Sequence, residues 1–460
     1  MTTEYSVTTL EDLQALADRV IDMVRANPTG EDDEVEANVL VGRTRHGLTR
    51  FANSFIHQHV GEETVTVGLT IAVGGRTATA GTTDTRDDAL AGLVESTIES
   101  AALQPIDPHW PGATPAVEAA ITEDNYDEAT AEARPDERAA MVKTFVDAGP
   151  DLRAAGYLDT HATWAAFAST AGQRAVGRST RATIDGIHQT ATSAGSAHQT
   201  SQRLGDLDAV AAGTTAADRA RRSAEFVDVD PGVYEVVLGP EAVATMLTFL
   251  AVYGFNAKMH LDGASFVKIG EQQLDDQLTI LDDPTDPRAV ALPFDNEGTP
   301  RQQFSLVEAG VSTSLAHDRR TAGRAGTRTT GSAIPGGSEI GAVPTSVKLL
   351  PGKTGPDDLV AGVERGLLVT QFHYCRVLDP KTLVVTGLTR NGTFLIENGQ
   401  VSGAVGNLRF TQSFVAALAQ GQVAGIGNDD RYADAEFGPG MVIAPSLRLK
   451  AWNFTGGAKG

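Results

Sequence analysis

The spacing of apolar side chains predicts a first half in which helices alternate with strands. Residues 9–26 repeat apolar side chains at three- and four-residue steps, the period of an amphipathic helix, and Thr9 stands in the N-cap position. Residues 154–204 alternate between small apolar and polar side chains, which is typical of a strand meander with one face in water. The predicted elements are helices at 9–26, 86–103, 136–147 and 212–225, and strands at 35–42, 64–73 and within 154–204.

The second half of the sequence predicts mostly strands joined by turns, after a short strand and one apolar helix at 240–254. A cluster of turn residues at 228–232 marks a predicted boundary between two domains, residues 1–228 and residues 229–460. Residues 321–345 are rich in Gly, Thr, Ser and Arg without an apolar period, which predicts a long mobile loop. The fold class that follows is α+β, with an α/β N-terminal domain and a β-rich C-terminal domain.

Composition and charge narrow the classes of function. The 460 residues include 37 basic and 59 acidic side chains, a formal net charge of -22, so binding to nucleic acid or to an anionic membrane is disfavoured. The longest mostly apolar run, residues 242–255, has about 14 residues, whereas a membrane-spanning helix needs about 20. The first residues lack the basic and apolar segments of a secretory signal, so we expect a cytoplasmic protein.

Glycine and carboxylate landmarks follow the apolar helix at defined spacings. They are Gly254, the pair Gly270-Glu271, the pair Asp282-Asp283 and the segment 295–300, which reads Asp-Asn-Glu-Gly-Thr-Pro. In order and spacing these residues resemble the C-terminal half of the TldD/PmbA family of modified-peptide proteases. Residues 392–399 and 441–457 are similar to the hairpin and the terminal strand of that family. The resemblance implies a TldD/PmbA-like fold.

The resemblance places the zinc motif of that family, His-Glu-x-x-x-His, on residues that cannot bind metal. Aligned on Gly254, the three functional positions fall on Leu250, Ala251 and Phe255, which have neither a zinc donor nor a group that moves a proton. None of the ten His residues is followed by Glu, and no two of them lie four or five residues apart. The only Cys, Cys375, lies well upstream of the region where catalytic members of the family have a Cys ligand.

The loss of these ligands resembles the PmbA branch of the family, also called TldE, rather than the TldD branch. The resemblance therefore implies no catalytic residue and no cofactor in this chain, with zinc held by a TldD-like catalytic subunit as its partner. It also implies an extended peptide as substrate. The peptide would be bound by strand addition in a tunnel that the two chains form. Without that partner, a homodimer is the expected assembly.

Three arginines, Arg319, Arg320 and Arg324, concentrate positive charge in an otherwise acidic chain. A guanidinium cluster can hold a peptide carboxylate or the acidic surface of a partner, so these residues are candidates for substrate or partner binding. The alternative is that they are solvated charges of the loop.

Metal ligands could also come from outside the family motif. His260, His373 and Cys375 have donor atoms that bind transition metals, and they form the alternative metal site. The simpler interpretation is that His373 and Cys375 share one face of a half-buried strand and that His260 caps or lines a loop.

Four carboxylates, Asp282, Asp283, Asp295 and Glu297, lie within 16 residues of one another. Paired carboxylates can perform acid–base chemistry. These lie in turn-like sequence, however, and turn formation explains them more simply.

Three functional hypotheses follow. The first is a non-catalytic subunit of a TldD/TldE-type zinc metalloprotease complex that processes unfolded or modified peptides. The second is a metallopeptidase with a relocated metal site, and the third is a peptide-binding or assembly protein without a protease partner. The sequence leaves open the peptide substrate, the identity of the partner, the oligomeric state of the chain alone, the origin of the acidic bias, and whether residues 321–345 order on binding.

Overall fold

The computed structural model describes residues 7–27, 35–118, 125–435 and 442–457. Over these ranges the chain has an α+β fold, in which helices cover one sheet in the first half and two further sheets dominate the second half. The helices are α1 (Leu10–Ala26), α2 (Asp87–Ala102), α3 (Glu128–Ala131), α4 (Pro135–Asp147), α5 (Ala209–Arg222), α6 (Pro240–Phe249), α7 (Ala257–Leu261), α8 (Arg319–Ala325), α9 (Gly337–Ile340), α10 (Pro356–Ala361) and α11 (Phe414–Ala417). Within the described ranges, none of the helices combines the length and apolar character that crossing a membrane requires.

One antiparallel sheet, here called the N-terminal sheet, organises the first half. Its strands are β1 (Val35–Ala52), β2 (Phe55–Val73), β3 (Arg76–Thr82), β4 (Arg153–Ser169), β5 (Arg174–Gln189) and β6 (Ala194–Ser201). They pair in the order β3-β2-β1-β4-β5-β6, so β3 and β6 are the two edges. The meander predicted from the alternating sequence is therefore present, and it joins the hairpin of β1 and β2 in a single sheet.

Helices cover one face of the N-terminal sheet because alternate strand residues there are apolar. The hydroxyl of Thr9 accepts the amide of Asp12, and the Asp12 carboxylate accepts the amide of Thr9, so α1 begins with a capping box. Leu16 and Val20 of α1 pack in the same core as Val39 of β1. Helices α2, α4 and α5 contribute to the cores on this face. The intervening strand residues point to the opposite face.

The second half contains two sheets. Its strands are β7 (Phe226–Val227), β8 (Gly232–Leu238), β9 (Ile280–Asp282), β10 (Phe304–Glu308), β11 (Val311–Ser312), β12 (Val347–Leu349), β13 (Arg365–Val369), β14 (Phe372–Asp379), β15 (Val384–Thr389), β16 (Thr393–Glu397), β17 (Gln400–Val405), β18 (Leu408–Ser413), β19 (Val423–Ile426), β20 (Arg431–Ala433), β21 (Val442–Ala444) and β22 (Leu447–Gly457). One sheet has the order β11-β10-β9-β12-β21-β20, and the other β14-β15-β18-β22-β8-β13-β16-β17-β7 with β19 paired to β22.

The second half packs onto the helix-free face of the N-terminal sheet. Ala165 and Phe167 of β4 form a small apolar core with Phe294. Gly298 adopts a φ of +70°, and a Cβ at this position would lie 2.2 Å from the Phe167 ring. A glycine is therefore required both by the turn and by the close approach of the two halves.

The four helices predicted in the first half are confirmed, with ends that shift by up to three residues. The two predicted strands 35–42 and 64–73 are parts of longer strands, because polar residues continue the hairpin beyond the apolar runs. Strand β7, just ahead of the predicted boundary, pairs with β17 of the second half. The division into residues 1–228 and 229–460 remains a prediction.

Residues 321–345, predicted as a long mobile loop, are mostly irregular but contain the end of α8 and the short helix α9. Their mobility remains a prediction, and several contacts fix parts of the segment. The Asp318 carboxylate caps α8 by accepting the amide of Thr321, and Thr321 and Ala322 are buried. Further along, Ser332 is fully buried and the amide of Ala333 donates to Asp295. The segment lacks an apolar period because it is held by capping and hydrogen bonds rather than by an apolar face.

Candidate functional site

The apolar helix segment, residues 240–254, consists of α6 and a π-helical turn, Leu250–Gly254. Leu250, Ala251 and Phe255 are only 1%, 3% and 1% exposed, and they belong to the main apolar core of the second half. Phe255 packs edge-on against Phe266 with ring centroids 5.9 Å apart. The three positions on which the resemblance places the zinc motif are therefore core positions.

These side chains do not fit a zinc ion, because a zinc site needs nitrogen, oxygen or sulfur donors that converge on one point. Gly254, the landmark of the alignment, is explained by packing, since a Cβ there would lie 2.3 Å from the Phe266 ring. That the chain has no catalytic residue remains a prediction.

The carboxylates of the second half are used in turns. The Asp295 carboxylate accepts the amides of Glu297, Thr299 and Ala333, and burial raises its pKa to about 6 against the lowering effect of these donors. Burial, and next the charge of Asp295, raise the pKa of Glu297 to about 8, although the amide of Arg319 donates to this carboxylate. Asp283 accepts the amide and hydroxyl of Thr285 in another turn. The predicted role in turn formation agrees with the contacts of Asp283 and Asp295. It is wrong for Asp282, which is the last residue of strand β9 and whose buried carboxylate accepts the amide of Ser346.

The arginines do not form the open guanidinium cluster that the sequence suggested. Arg319 donates to the carbonyls of Pro111, Gly112 and Ala113 and to the Thr114 hydroxyl, at 2.6 to 3.2 Å. Helix α8 lies against this segment of the first half, which explains why the charges are used within the chain.

The other two arginines also have intrachain partners. Arg320 makes a two-pronged ion pair with Asp107, with N–O distances of 2.9 and 2.5 Å, and Arg324 donates to Asp262 at 3.2 Å. Binding of a substrate or partner by Arg319, Arg320 and Arg324 remains a prediction.

His260, His373 and Cys375 do not converge on one metal position. His260 lies in the last turn of α7, far along the chain from the strand that holds the other two. A β-bulge between His373 and Arg376 separates His373, whose Nε2 lies 2.5 Å from the Arg390 guanidinium, from the fully buried Cys375. The predicted shared strand face is therefore wrong, because the bulge changes the alternation. Over the described ranges, two other groups of three donor residues lie close enough together to bind one ion.

A cleft of about 930 Å3 lies between the N-terminal sheet and loops of the second half. Its floor consists of small residues on the helix-free face of the sheet, such as Gly42, Gly68 and Ala165, and the end of edge strand β3. Phe294 and Arg301 of the second half line the other side. The cleft has the size of a ligand pocket and exposes backbone of an edge strand.

The same face of the sheet continues from the cleft floor into a cluster of histidines and a carboxylate. His46 of β1 and His161 of β4 are register partners, their rings stack at 4.0 Å, and Asp159 precedes His161 by two residues. His161 Nε2 lies 3.0 Å from Asp159 Oδ2, and Arg181 lies 3.6 Å from the same oxygen. Burial lowers the pKa of His161 despite the raising effect of Asp159, so the neutral imidazole is favoured.

A second cluster lies on the same face, nearer β6. His198 Nδ1 lies 3.0 Å from Asp185 Oδ2, its Nε2 lies 2.9 Å from the Thr200 hydroxyl, and Asp434 completes the group. Burial alone would lower the pKa of His198, but the hydrogen bond and charge of Asp185 outweigh it, so this pKa is raised. We call the face that bears His46, His161 and His198 the histidine face.

Both clusters were missed in the sequence because their members are far apart along the chain. His46 and His161 meet only through the pairing of β1 with β4. The one local signal is the Asp159-x-His161 spacing in a sequence that alternates, which places both side chains on one strand face.

Comparisons with known proteins agree with this architecture. The family model for the PmbA/TldA metallopeptidase C-terminal domain matches residues 231–456. A metalloprotease of Methanothermobacter thermautotrophicus is 27% identical over 206 residues, which cover 44% of this chain and 44% of that protein. A metalloprotease TldD homologue of Haemophilus influenzae is 28% identical over 206 residues, which cover 44% of this chain and 42% of that protein. The chain thus matches less than half the length of these curated relatives.

Solved structures match nearly the whole fold. The structure of TldE from Thermococcus kodakarensis gives a TM-score of 0.84 at 17% identity, covering 97% of this chain and 100% of that one. A Thermotoga maritima protein that bears the name of a DNA gyrase modulator gives a TM-score of 0.84 at 19% identity, with coverage of 97% and 100%. At these identities the likeness extends to the fold.

Proposed function

This chain belongs to the TldD/PmbA family, and from that membership we propose that it is a non-catalytic, TldE/PmbA-like subunit of a peptide-processing complex. Its partner is a TldD-like chain that holds the catalytic zinc. The substrate is an extended segment of an unfolded or modified peptide, which both chains bind.

The observation that carries this proposal is the occupation of the family's zinc-motif positions by core side chains. Leu250, Ala251 and Phe255 are buried and packed, so neither the donors of the motif nor a route for water to reach them is available there. Hydrolysis by the family's zinc chemistry requires both a metal and a water molecule in an open position. A chain of this family that lacks both can contribute to hydrolysis by binding the substrate and by pairing with a chain that has them.

The cleft supports the part of the proposal that concerns peptide binding. An extended peptide needs backbone partners and room for alternate side chains, which an edge strand beside a floor of small residues provides. The lining combines Gly42, Gly68 and Gly81 with Phe294 and the Arg301 guanidinium. Such a surface recognises backbone and carboxylate groups more than particular side chains.

The experiment is a comparison of peptide hydrolysis by the chain alone, by a TldD-like chain from the same source alone, and by the two together. We expect no cleavage of an unfolded polypeptide such as casein by this chain, even with added Zn2+, and cleavage by the mixture. Size-exclusion chromatography with light scattering should show a complex of both chains. Cleavage by the purified chain alone would contradict the proposal.

The role of the cleft in peptide binding is tested by a substitution that fills part of the cleft. Gly68 lies on the cleft floor, and a Cβ there would make only an ordinary contact of 3.7 Å, so Gly68→Leu adds bulk to the cleft without displacing backbone. We expect weaker binding of a labelled unfolded polypeptide, measured by fluorescence anisotropy. Gly61→Leu on the same strand, where a Cβ has open space and which lies outside the cleft, is the matched control.

A peptide-binding or assembly protein without a protease partner is the second candidate, and the same cleft supports it. The two candidates differ in the mixing experiment. Peptide binding by this chain, with neither complex formation nor a gain in cleavage when the TldD-like chain is added, would favour the second.

A further inference from the structure

We propose that His46, Asp159 and His161 form a binding site for a divalent transition metal of the Zn2+ class on the histidine face. This site lies on strands of the first half of the chain, whereas the resemblance places the zinc motif on the apolar helix segment of the second half. It departs from the expectation that the chain holds no metal, and it does not rest on the proposed function.

The strand register brings the three donors together. His46 of β1 and His161 of β4 are directly opposite each other, and Asp159 lies two residues before His161 on the same strand. Residues directly opposite in an antiparallel pair, and residues two apart on one strand, point to the same side of the sheet. The antiparallel strands therefore hold two imidazoles and one carboxylate next to one another on one face of the sheet.

The spacing of the donor atoms agrees with tetrahedral coordination. Two ligand atoms that are each about 2.1 Å from a tetrahedral zinc ion are about 3.4 Å from each other. Asp159 Oδ2 lies 3.0 Å from His161 Nε2 and 3.8 Å from His46 Nε2. One donor atom from each residue lies within 4.8 Å of the others. The stacked rings are inclined by only 16°, so both must turn about their Cβ–Cγ bonds for their lone pairs to converge.

Two polar atoms of the cluster are buried without a hydrogen-bond partner. Asp159 is 8% exposed, and its Oδ1 is among these atoms. His46 Nε2 is the other, because its 3.8 Å separation from Asp159 Oδ2 exceeds hydrogen-bond range. Leaving such atoms desolvated and unpaired is costly. A metal ion bound by the Asp159 carboxylate would satisfy His46 Nε2, and it would also satisfy Asp159 Oδ1 if both carboxylate oxygens coordinate it.

The neighbouring Arg181 is compatible with a metal ion. Its guanidinium lies 3.6 Å from Asp159 Oδ2, beyond direct hydrogen-bond range, whereas Oδ1 has no partner. Hydrogen-bonding groups around a ligating carboxylate commonly orient it, and Arg181 lies in position to do so. Two imidazoles with one carboxylate form a donor set that suits Zn2+, Co2+ and Fe2+ and disfavours Mg2+ and Ca2+.

The site is accessible and lies next to the cleft. The side chains of His46 and His161 are 26% and 28% exposed, so an ion from solvent can reach the cluster. Thr163, two residues after His161 on the same face, already lines the cleft. The cleft wall at Thr163 therefore lies one strand repeat, about 7 Å along the sheet, from His161.

The test begins with the wild-type chain alone, so that it needs no variant. The chain is stripped with a chelator, exchanged into metal-free buffer and titrated with Zn2+ against a chromophoric chelator, and separately with Co2+. We expect one Zn2+ per chain, and Co2+ bands in the visible with the intensity of a four-coordinate site. Binding below one equivalent, or a six-coordinate Co2+ spectrum identical to that of the buffer, would overturn the proposal.

Variants then assign the ligands. We expect His46→Gln and His161→Gln each to weaken Zn2+ binding by at least about 100-fold, because each removes one of three ligands. His57→Gln, an exposed histidine on β2, and His198→Gln, in the second cluster, should bind as the wild type does. Retained affinity in both ligand variants, or loss of affinity in His198→Gln alone, would overturn the assignment.

The outcome is separable from the proposed function. Hydrolysis by the mixture with a TldD-like chain depends on zinc in that other chain, so His46→Gln and His161→Gln can be assayed there independently. Loss of metal binding by the isolated variants identifies the site whether or not the mixture hydrolyses a peptide.

Discussion

Two regions of this chain differ in whether a metal site is expected from the family resemblance or indicated by the side chains themselves. The apolar helix segment is the place where the sequence resemblance puts the zinc motif of the family, yet Leu250, Ala251 and Phe255 are core side chains there. The histidine face has no counterpart in the resemblance, yet it gathers two histidines and a carboxylate within range of one metal ion. The comparison teaches that a metal site must be located from the positions of side chains in the structure. A fold can be present without the metal donors that its family motif predicts.

The two regions also differ in how they depend on their surroundings. The helix segment is stabilised by apolar packing on nearly every side, so polar substitutions there have no compensating partner. The histidine face is a partly exposed strand surface on which Asp159 and His198 have neighbours of opposite charge. We therefore expect large losses of stability from changes in the first region and specific, smaller effects from changes in the second.

The largest expected effect comes from installing the zinc motif in the helix segment. The triple variant Leu250→His, Ala251→Glu and Phe255→His replaces packed apolar groups with polar groups that have no partner. Loss of a buried Phe costs about 3–5 kcal/mol, and each unpaired buried polar group about 1–3 kcal/mol more. We expect the free energy of unfolding to fall by more than about 5 kcal/mol, which is comparable to the whole stability of many domains.

Solubility, urea unfolding and zinc content of this triple variant provide the measurement. Leu103→His and Phe226→His, at positions that are 86% and 52% exposed, are matched controls with expected changes within about 0.5 kcal/mol. A soluble triple variant that is stabilised by one equivalent of zinc would show that the metal position of the family persists in this chain, and the comparison would fail.

The second prediction concerns Glu241, the one charged residue of the helix segment. Burial alone would raise the pKa of Glu241, but the charges of Arg431 and Arg219 outweigh it, so the pKa is lowered and the carboxylate stays ionised. Arg431 donates to Glu241 at 2.6 Å. This carboxylate is therefore a structural partner of arginines rather than a metal ligand or a base.

We expect Arg431→Ala to lower the free energy of unfolding by about 3 kcal/mol, the lower end for a broken buried ion pair, because Arg219 remains near the charge. The added substitution Glu241→Gln should recover part of the loss, since it removes the unpaired charge. A double-mutant cycle by urea unfolding measures both. A loss below about 0.5 kcal/mol in Arg431→Ala would show that the pair is not coupled.

Much of the fold was accessible from the sequence because it follows local rules. Helix α1 combines a capping box with a continuous apolar stripe, and both are visible in residues 9–26. The bounds of β1 and β2 were underestimated, because their outer halves are mostly polar in sequence. The outer half of β1 is still buried at alternate positions such as Gly47, Thr49 and Phe51, whereas the outer half of β2 is mostly exposed. The ordered contacts within residues 321–345 were missed, because the segment has no apolar period. Its amides donate instead to the carboxylates of Asp318 and Asp295, in a capping and a long-range contact.

The candidate site was less accessible because it depends on register between distant strands. The absence of the zinc motif could be read directly from the sequence, and the structure adds that its positions are packed. Nothing in the sequence near His46 indicates that residue 161 lies opposite, 115 positions later, since this requires the order of strands in the sheet. The contact of the arginines with the first half could not be predicted from the sequence. It is visible only in the structure, where α8 meets residues 107–114.

The third prediction concerns Arg319, whose guanidinium serves the chain itself rather than a ligand. Arg319→Ala removes four donated hydrogen bonds to residues 111–114. Hydrogen bonds that involve a charged group contribute about 1.5–3 kcal/mol, so we expect a loss of about 2 kcal/mol in urea unfolding. Arg328→Ala, at an exposed position nearby, is the control. Unchanged stability together with weaker binding of an unfolded polypeptide would instead support the role in ligand binding.

The smallest effect is expected at His198, and it separates the two clusters of the histidine face. Its pKa is raised in the folded chain, because the hydrogen bond and charge of Asp185 outweigh burial. Stability from a raised histidine pKa is fully present below the unfolded value of 6.5 and is lost as the pH rises through the folded pKa. The stability difference between wild type and His198→Gln, measured by urea unfolding, should therefore be largest below pH 6.5 and shrink in alkaline buffer, and Asp185→Asn should flatten it. A difference that grows with pH would mean that His198 is neutral, with a lone pair that could compete with His46 and His161 for the metal.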